Sequence, residues 1–98
     1  ALIRNHDAVI AYDDDLANTI GRYCIRRGIR IPDDIGLAGF NGDYGSMCAW
    51  LRLATVKLPT YEMGRKATEM AMTLVNNGNA KPLPSERFEP SLIEGETL

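Results

Sequence analysis

The chain has 98 residues, 45% of them hydrophobic and 24% charged, with a formal charge of −2. That length supports one modest core rather than a large two-domain protein, and the charge balance excludes a surface built to grip nucleic-acid phosphates. Cys24 and Cys48 are too few and too far apart for a disulfide framework or a metal clip, and no apolar run approaches the length of a membrane span.

Asp7-Ala8-Val9-Ile10-Ala11-Tyr12 reads as a first buried strand that runs into Asp13-Asp14-Asp15. Acids suit a helix start, where one caps free backbone N–H groups and others favour the positive end of the helix dipole. The helix is expected over 14–27, with Leu16, Ala17, Ile20, Tyr23 and Cys24 recurring on one face and Arg22, Arg26 and Arg27 in its later half. Gly28 can take the left-handed conformation that closes a helix, and Pro32 prevents a restart. Ile35-Gly36-Leu37-Ala38-Gly39-Phe40 is short, almost wholly apolar and bounded by turn residues, the pattern of a strand covered on both faces. Residues 42–50 read as a loop with one helical turn, and 53–57 as a third strand. Pro59 and a capping Thr60 introduce the clearest helix, 61–77, where Met63, Ala67, Met70, Ala71, Leu74 and Val75 form an apolar stripe opposed by Glu62, Arg65, Lys66 and Glu69. Asn77-Gly78 closes it, 81–84 is a linker, and a last strand within 86–93 precedes a polar tail. Strands alternating with helices imply an α/β fold with a parallel sheet, flanking helices and right-handed crossovers.

Several constellations carry less than they suggest. Asp13-Asp14-Asp15 with Lys57-x-Pro59 echoes a phospho-receiver, but too few strand–helix units separate the two and the intervening strand ends in Asn41 rather than an acceptor Asp. Gly39-x-x-Gly42-x-x-Gly45 lacks the helix start, the lysine and the spacing of a phosphate cradle. No nucleophile-elbow pattern surrounds Ser46, and His6 lies near the terminus. The expectation is a chain with no catalytic residues, no metal and no cofactor. What survives is a geometric argument. Asp13 follows one strand, Asn41 ends another, and Leu58-Pro59-Thr60 follows a third. In a parallel sheet these ends share one edge, where ligands bind, and a carboxylate with an amide there can hydrogen-bond the hydroxyls of a sugar or polyol.

Asp13-Asp14-x-x-Ala17, Arg27-Gly28-Ile29-Arg30-Ile31-Pro32-x-Asp34-Ile35, Gly39-Phe40, Leu53-x-Thr55-Val56 and Glu62-Met63-Gly64-Arg65-x-Ala67 occur in order over nearly the whole chain. Together they resemble the C-terminal part of the LacI/GalR family of bacterial transcription regulators. The Leu53-Ala54-Thr55-Val56 form, the loop 39–45 and the Gly95-Glu96-Thr97-Leu98 ending look most similar to gluconate-operon repressors.

The resemblance implies part of a two-lobed, periplasmic-binding-protein-like effector domain. Residues 1–57 would form the C-terminal lobe, 60–84 a segment of the other lobe, and 85–98 a returning strand and tail. The effector, a sugar or sugar acid, would meet Asp13, Asn41 and Thr60. The usual family pattern has Asn and Asp at the first two positions, so this chain has exchanged the two residue types. A homodimer is implied through Asn18, Arg22, Met47, Ala49 and Trp50.

The chain starts without an initiator Met and is expected to be a piece of a longer, cytoplasmic regulator. Operator DNA would then be bound only through a helix-turn-helix outside these residues, with no membrane partner. A solute-binding protein of a sugar transporter, which shares the fold, is the alternative. Taken alone, the stripe of the 61–77 helix would lack partners, and dimerisation or segment exchange is expected.

Overall fold

The structure, a computed structural model, describes residues 5–42, 51–78 and 82–98. Its elements are β1 (Ala8–Ile10), α1 (Asp14–Arg26), β2 (Gly36–Asn41), β3 (Ala54–Lys57), α2 (Thr60–Asn76) and β4 (Ser91–Ile93). Two units form, one from Ala1–Lys57 with Ser91–Leu98 and the other from Leu58–Pro90.

The first unit is built on a four-stranded sheet in the order β1-β2-β3-β4. β1 pairs with β2 and β2 with β3 in parallel, as the alternation of strands and helices implies. β4 runs antiparallel to β3, with Thr55 opposite Ile93 and Lys57 opposite Ser91. The sheet is therefore mixed, because the chain returns to β3's free edge in the reverse direction.

α1 begins and ends on local chemistry. Asp13 is extended (φ −147°, ψ 177°), and its carboxylate accepts the Leu16 N–H at 2.7 Å. At the other end the Gly28 N–H reaches the Ile25 carbonyl at 3.1 Å and the Ile29 N–H reaches the Cys24 carbonyl at 2.9 Å. Gly28, at φ 70°, makes that paired closure possible. Asp34 then fixes the turn into β2 by accepting from the Arg30 N–H (2.8 Å), Nε (3.1 Å) and Nη2 (2.7 Å). These bonds hold the Asp34 carboxyl at a pKa of about 2, below the usual carboxylate range.

Ala11, Ala17, Leu37 and Leu53 form the buried core, with Val9, Ile20, Ile31 and Leu51 packed against it. The helix face that meets the sheet differs from the expected one. It presents Asp14, Ala17, Asn18, Gly21 and Cys24, whereas Leu16 and Tyr23 are substantially exposed. Small residues win because α1 lies close over the sheet: a Cβ at Gly39 would overlap Asp14 Oδ1 and lie 3.2 Å from the Asp14 Cα. Cys24 is a free, buried thiol whose pKa burial pushes up, and Cys48 lies outside the described residues.

Only one face of the sheet is covered by α1. Ile10, expected in a buried strand, is 81% exposed, and Phe40 and Leu92 are exposed as well. The expectations that β1 is buried and that the Ile35–Phe40 strand is covered on both faces are therefore corrected. By strand alternation Ile10 shares its face with Ala8 and with Ala38 of β2, opposite the face on which α1 packs at Gly39.

The polar tail is a structural part of the sheet. Thr97 is fully buried; its hydroxyl donates to the Leu37 carbonyl at 2.5 Å and accepts the Ala54 N–H at 2.8 Å. Its carbonyl accepts the Leu37 N–H at 2.6 Å, and Glu96 pairs with Arg52 at 2.9 Å. The tail thus completes backbone hydrogen bonding beside β2 at a point before β3 begins.

In the second unit, α2 starts one residue before the expected position. Thr60 is its first helical residue rather than its cap, and Pro59, the cap, makes no side-chain capping bond. The Met63 N–H reaches the Pro59 carbonyl at 3.0 Å, which brings Thr60 into the helix. Asn77 closes the far end on the Thr73 carbonyl, with Gly78 at φ 62° beyond it. No α2 residue is fully buried; Met70 and Leu74 are half-buried, while Met63 and Val75 are exposed. Lys66 reaches Glu86 at 3.2 Å across a shallow groove of about 250 Å³ that Met70, Thr73, Leu83 and Pro84 also line.

Candidate functional site

The carboxyl ends of the parallel strands supply the site. Asp13 and Asn41 each lie three residues beyond the Ile10–Ala38 pair of the β1–β2 ladder. The Ala11 N–H bond to the Ala38 carbonyl (2.8 Å) carries that pairing one step further towards the edge. The sequence-predicted pair is therefore brought to one rim of the sheet. Asn41 in turn pairs with Lys57 at the end of β3. The rim thus carries a carboxylate, an amide and an exposed ammonium group.

Each polar group is held differently. Asp13 is half-buried and spends one oxygen on the helix cap, which fixes its carboxylate at the end of α1. Asn41 is half-buried with φ 100°, the one positive-φ residue other than glycine among the described residues. Asparagine tolerates such backbone better than most side chains, but the conformation is strained, and strain of this kind concentrates where a side chain is held for use. Gly42 follows at φ 68°, and a Cβ there would come within 2.7 Å of the Lys57 Cα. The chain therefore turns tightly against β3 immediately after Asn41.

Beneath this rim lies the side chain of Asp14, the middle one of the three acids at the helix start. Asp14 is 1% exposed, and its Oδ1 accepts the Thr55 hydroxyl at 2.5 Å. A run of three acids gives no sign of which one turns inward. The available signal is Gly39, two residues before Asn41, where a missing side chain makes room for that carboxylate.

Thr60 belongs to the second unit, as the first residue of α2. Of the residues assigned to a dimer interface, Arg22 is exposed, and Asn18 is 8% exposed with an Oδ1 that lacks a hydrogen-bond partner among the described residues. Met47, Ala49 and Trp50 lie outside the described residues. No group of His, Cys, Asp and Glu side chains among the described residues is arranged to hold a metal ion. No helix among them is long and apolar enough to cross a membrane. Chemically the rim can accept and donate hydrogen bonds to a hydroxyl-rich molecule.

Residues 1–98 match the family model described as a periplasmic binding protein-like domain. The chain is 35% identical to the HTH-type transcriptional regulator GalR of Escherichia coli over 97 residues, covering 97% of this chain and 27% of that protein. It is 36% identical over 69 residues to the HTH-type transcriptional regulator GntR of Pseudomonas aeruginosa, covering 70% of this chain and 20% of that protein. Among solved structures, a LacI-family transcriptional regulator from Silicibacter pomeroyi is similar with a TM-score of 0.78 at 32% identity, over 93% of this chain and 27% of that one. A periplasmic binding protein/LacI transcriptional regulator from Alkaliphilus metalliredigens, complexed with D-xylulofuranose, is similar with a TM-score of 0.75 at 27% identity, over 97% of this chain and 35% of that one. The chain thus spans between a fifth and about a third of the length of these relatives.

Proposed function

Because the chain belongs to the periplasmic binding protein-like family, in the form carried by LacI/GalR-type regulators, we propose that it is an effector-binding segment of a bacterial transcription regulator. The observation that carries this reading is the shared rim, where Asp13 caps α1 and the strained Asn41 ends β2. An effector rich in hydroxyls satisfies both groups, the amide donating and accepting and the carboxylate accepting. Lys57, in register with Asn41, adds a positive charge that suits a sugar acid over a neutral sugar. Thr60, from the second unit, is proposed as a further effector contact.

In this reading effector binding changes the relative populations of two states of the regulator, and so its affinity for operator DNA, through a coupling between two sites. DNA itself is bound by a helix-turn-helix outside these residues, the protein works in the cytoplasm, and it turns over no substrate. The relatives' names favour regulation over the transport alternative. Homodimerisation through the α1 face that carries Arg22 belongs to the same proposal, with Asn18, Met47, Ala49 and Trp50 as the other interface residues. An Arg22→Glu change is expected to shift the complete gene product towards monomer in sedimentation velocity.

The test is calorimetric titration of the complete gene product with D-gluconate, D-galactose, D-ribose and L-arabinose, with glycerol as the control. Saturable binding of one of these, weakened by Asn41→Ala, is expected. Binding that Asn41→Ala leaves unchanged removes the rim from the effector site.

A further inference from the structure

We infer that Asp14 is a positioning residue for the effector site, joined through Gly39 and Thr55 into a buried brace that sets Asp13 against Asn41. The inference rests on reading the rim as the effector site. Capping does not require Asp14, because Asp13 already accepts the Leu16 N–H. Nor does the helix dipole require its burial, since Asp15 occupies the same first turn in the open. A carboxylate that is 1% exposed has given up its water and needs compensation inside the protein, and Thr55 on β3, itself 3% exposed, supplies a hydrogen bond of 2.5 Å.

The path of that bond matters more than its strength. α1's first turn reaches over β2 to grip β3, and β2 passes beneath at Gly39, where a Cβ would overlap the Asp14 carboxylate. One residue before Asp14 stands Asp13, two beyond Gly39 stands Asn41, and two beyond Thr55 stands Lys57, which pairs with Asn41. The three segments of the brace, the first turn of α1 with strands β2 and β3, thus each meet it one or two residues from a polar group of the rim. A slide of α1 along the sheet, which the small residues Ala17 and Gly21 on its buried face would permit, moves Asp13 relative to Asn41 unless this link holds. Supporting groups of this kind keep a binding constellation within its working tolerance.

The test compares Thr55→Val, which keeps the shape and removes the donor, with Thr55→Ser, which keeps the donor. Two readouts are used. One is the dissociation constant of the complete gene product for D-gluconate and D-galactose. The other is the amide resonance of Leu16, whose N–H is bonded to Asp13 and so reports the cap directly. Thr55→Val is expected to weaken binding by about tenfold and to move the Leu16 amide, and Thr55→Ser to restore both. Unchanged affinity with an unmoved Leu16 resonance in folded Thr55→Val overturns the brace. If neither sugar binds the unmodified protein, the effector reading falls for these probes, and the Leu16 resonance alone judges the brace: movement in the Val variant with return in the Ser variant supports it, and no movement overturns it. Should Thr55→Val not fold, Thr55→Cys, a weaker donor of similar size, takes its place in both readouts.

Discussion

Replacing Asn41 by glycine and by alanine reverses the usual order of stability of these two residues in a strand. Asn41 ends β2 with φ 100°. At an ordinary strand position glycine is the less stable of the pair by roughly 0.5–1 kcal/mol, because it loses more backbone freedom on folding. At positive φ alanine places its Cβ against the following carbonyl, at a cost of about 1–2 kcal/mol that glycine escapes. The second effect is larger, so Asn41→Gly is expected to exceed Asn41→Ala by about 0.5–1 kcal/mol. For a domain of this size that is a difference in melting temperature of roughly 2–8 °C. Urea denaturation followed by circular dichroism measures it. Alanine equal to or more stable than glycine would mean that residue 41 does not hold the left-handed backbone, and the strain that singles it out at the rim would go with it. Both variants lose the amide, so both are expected to lose effector affinity. Glycine then separates the two roles by keeping the fold while removing the contact.

Thr97→Val deletes the hydroxyl that serves the Leu37 carbonyl and the Ala54 N–H and leaves both backbone groups buried. A destabilisation of about 2–4 kcal/mol is expected in the same assay, and a loss below about 0.5 kcal/mol would remove the tail from the list of structural parts. Acid unfolding reports on Asp34. Its pKa of about 2 lies below the ordinary 3.8, so its stabilising contribution is complete above pH 3.8 and is lost as the pH falls through about 2. Asp34→Asn is expected to flatten that part of the stability profile, and an identical acid slope in the two proteins would contradict the Arg30–Asp34 turn. Leu37→Ala, at the centre of the small core, is expected to cost about 2–5 kcal/mol by thermal or urea unfolding.

Local chemistry was the most legible part of the chain. Asp13 as a cap, Gly28 as a helix stop and Asn77-Gly78 as a second one follow from backbone rules that operate over a few residues, and all appear in the structure. The parallel run of β1, β2 and β3 and the arrival of Asp13 and Asn41 at one rim followed from the alternation of strands and helices, because parallel neighbours need a crossover and a crossover aligns their carboxyl ends. Properties that depend on what lies across the sheet were hidden. The inward turn of Asp14 depends on Gly39 and Thr55, which are 25 and 41 residues away in sequence. The helix face was misjudged because large apolar side chains mark a face only where the partner surface has room for them. Thr97 reads as part of a polar tail until Leu37 and Ala54 are placed beside it. The direction of β4 carried no signal, since an antiparallel and a parallel edge strand share the same short apolar pattern.

The central claim, that the rim holding Asp13 and Asn41 receives a hydroxyl-rich effector, is tested most directly by the side-chain amide signals of the ¹⁵N-labelled complete gene product during titration with D-gluconate and D-galactose. The Asn41 carboxamide and the Leu16 backbone amide are expected to shift together and to saturate with the calorimetric binding curve, while the Asn76 and Asn77 side chains at the end of α2 stay in place. Saturable binding that leaves Asn41 and Leu16 unmoved would contradict the claim.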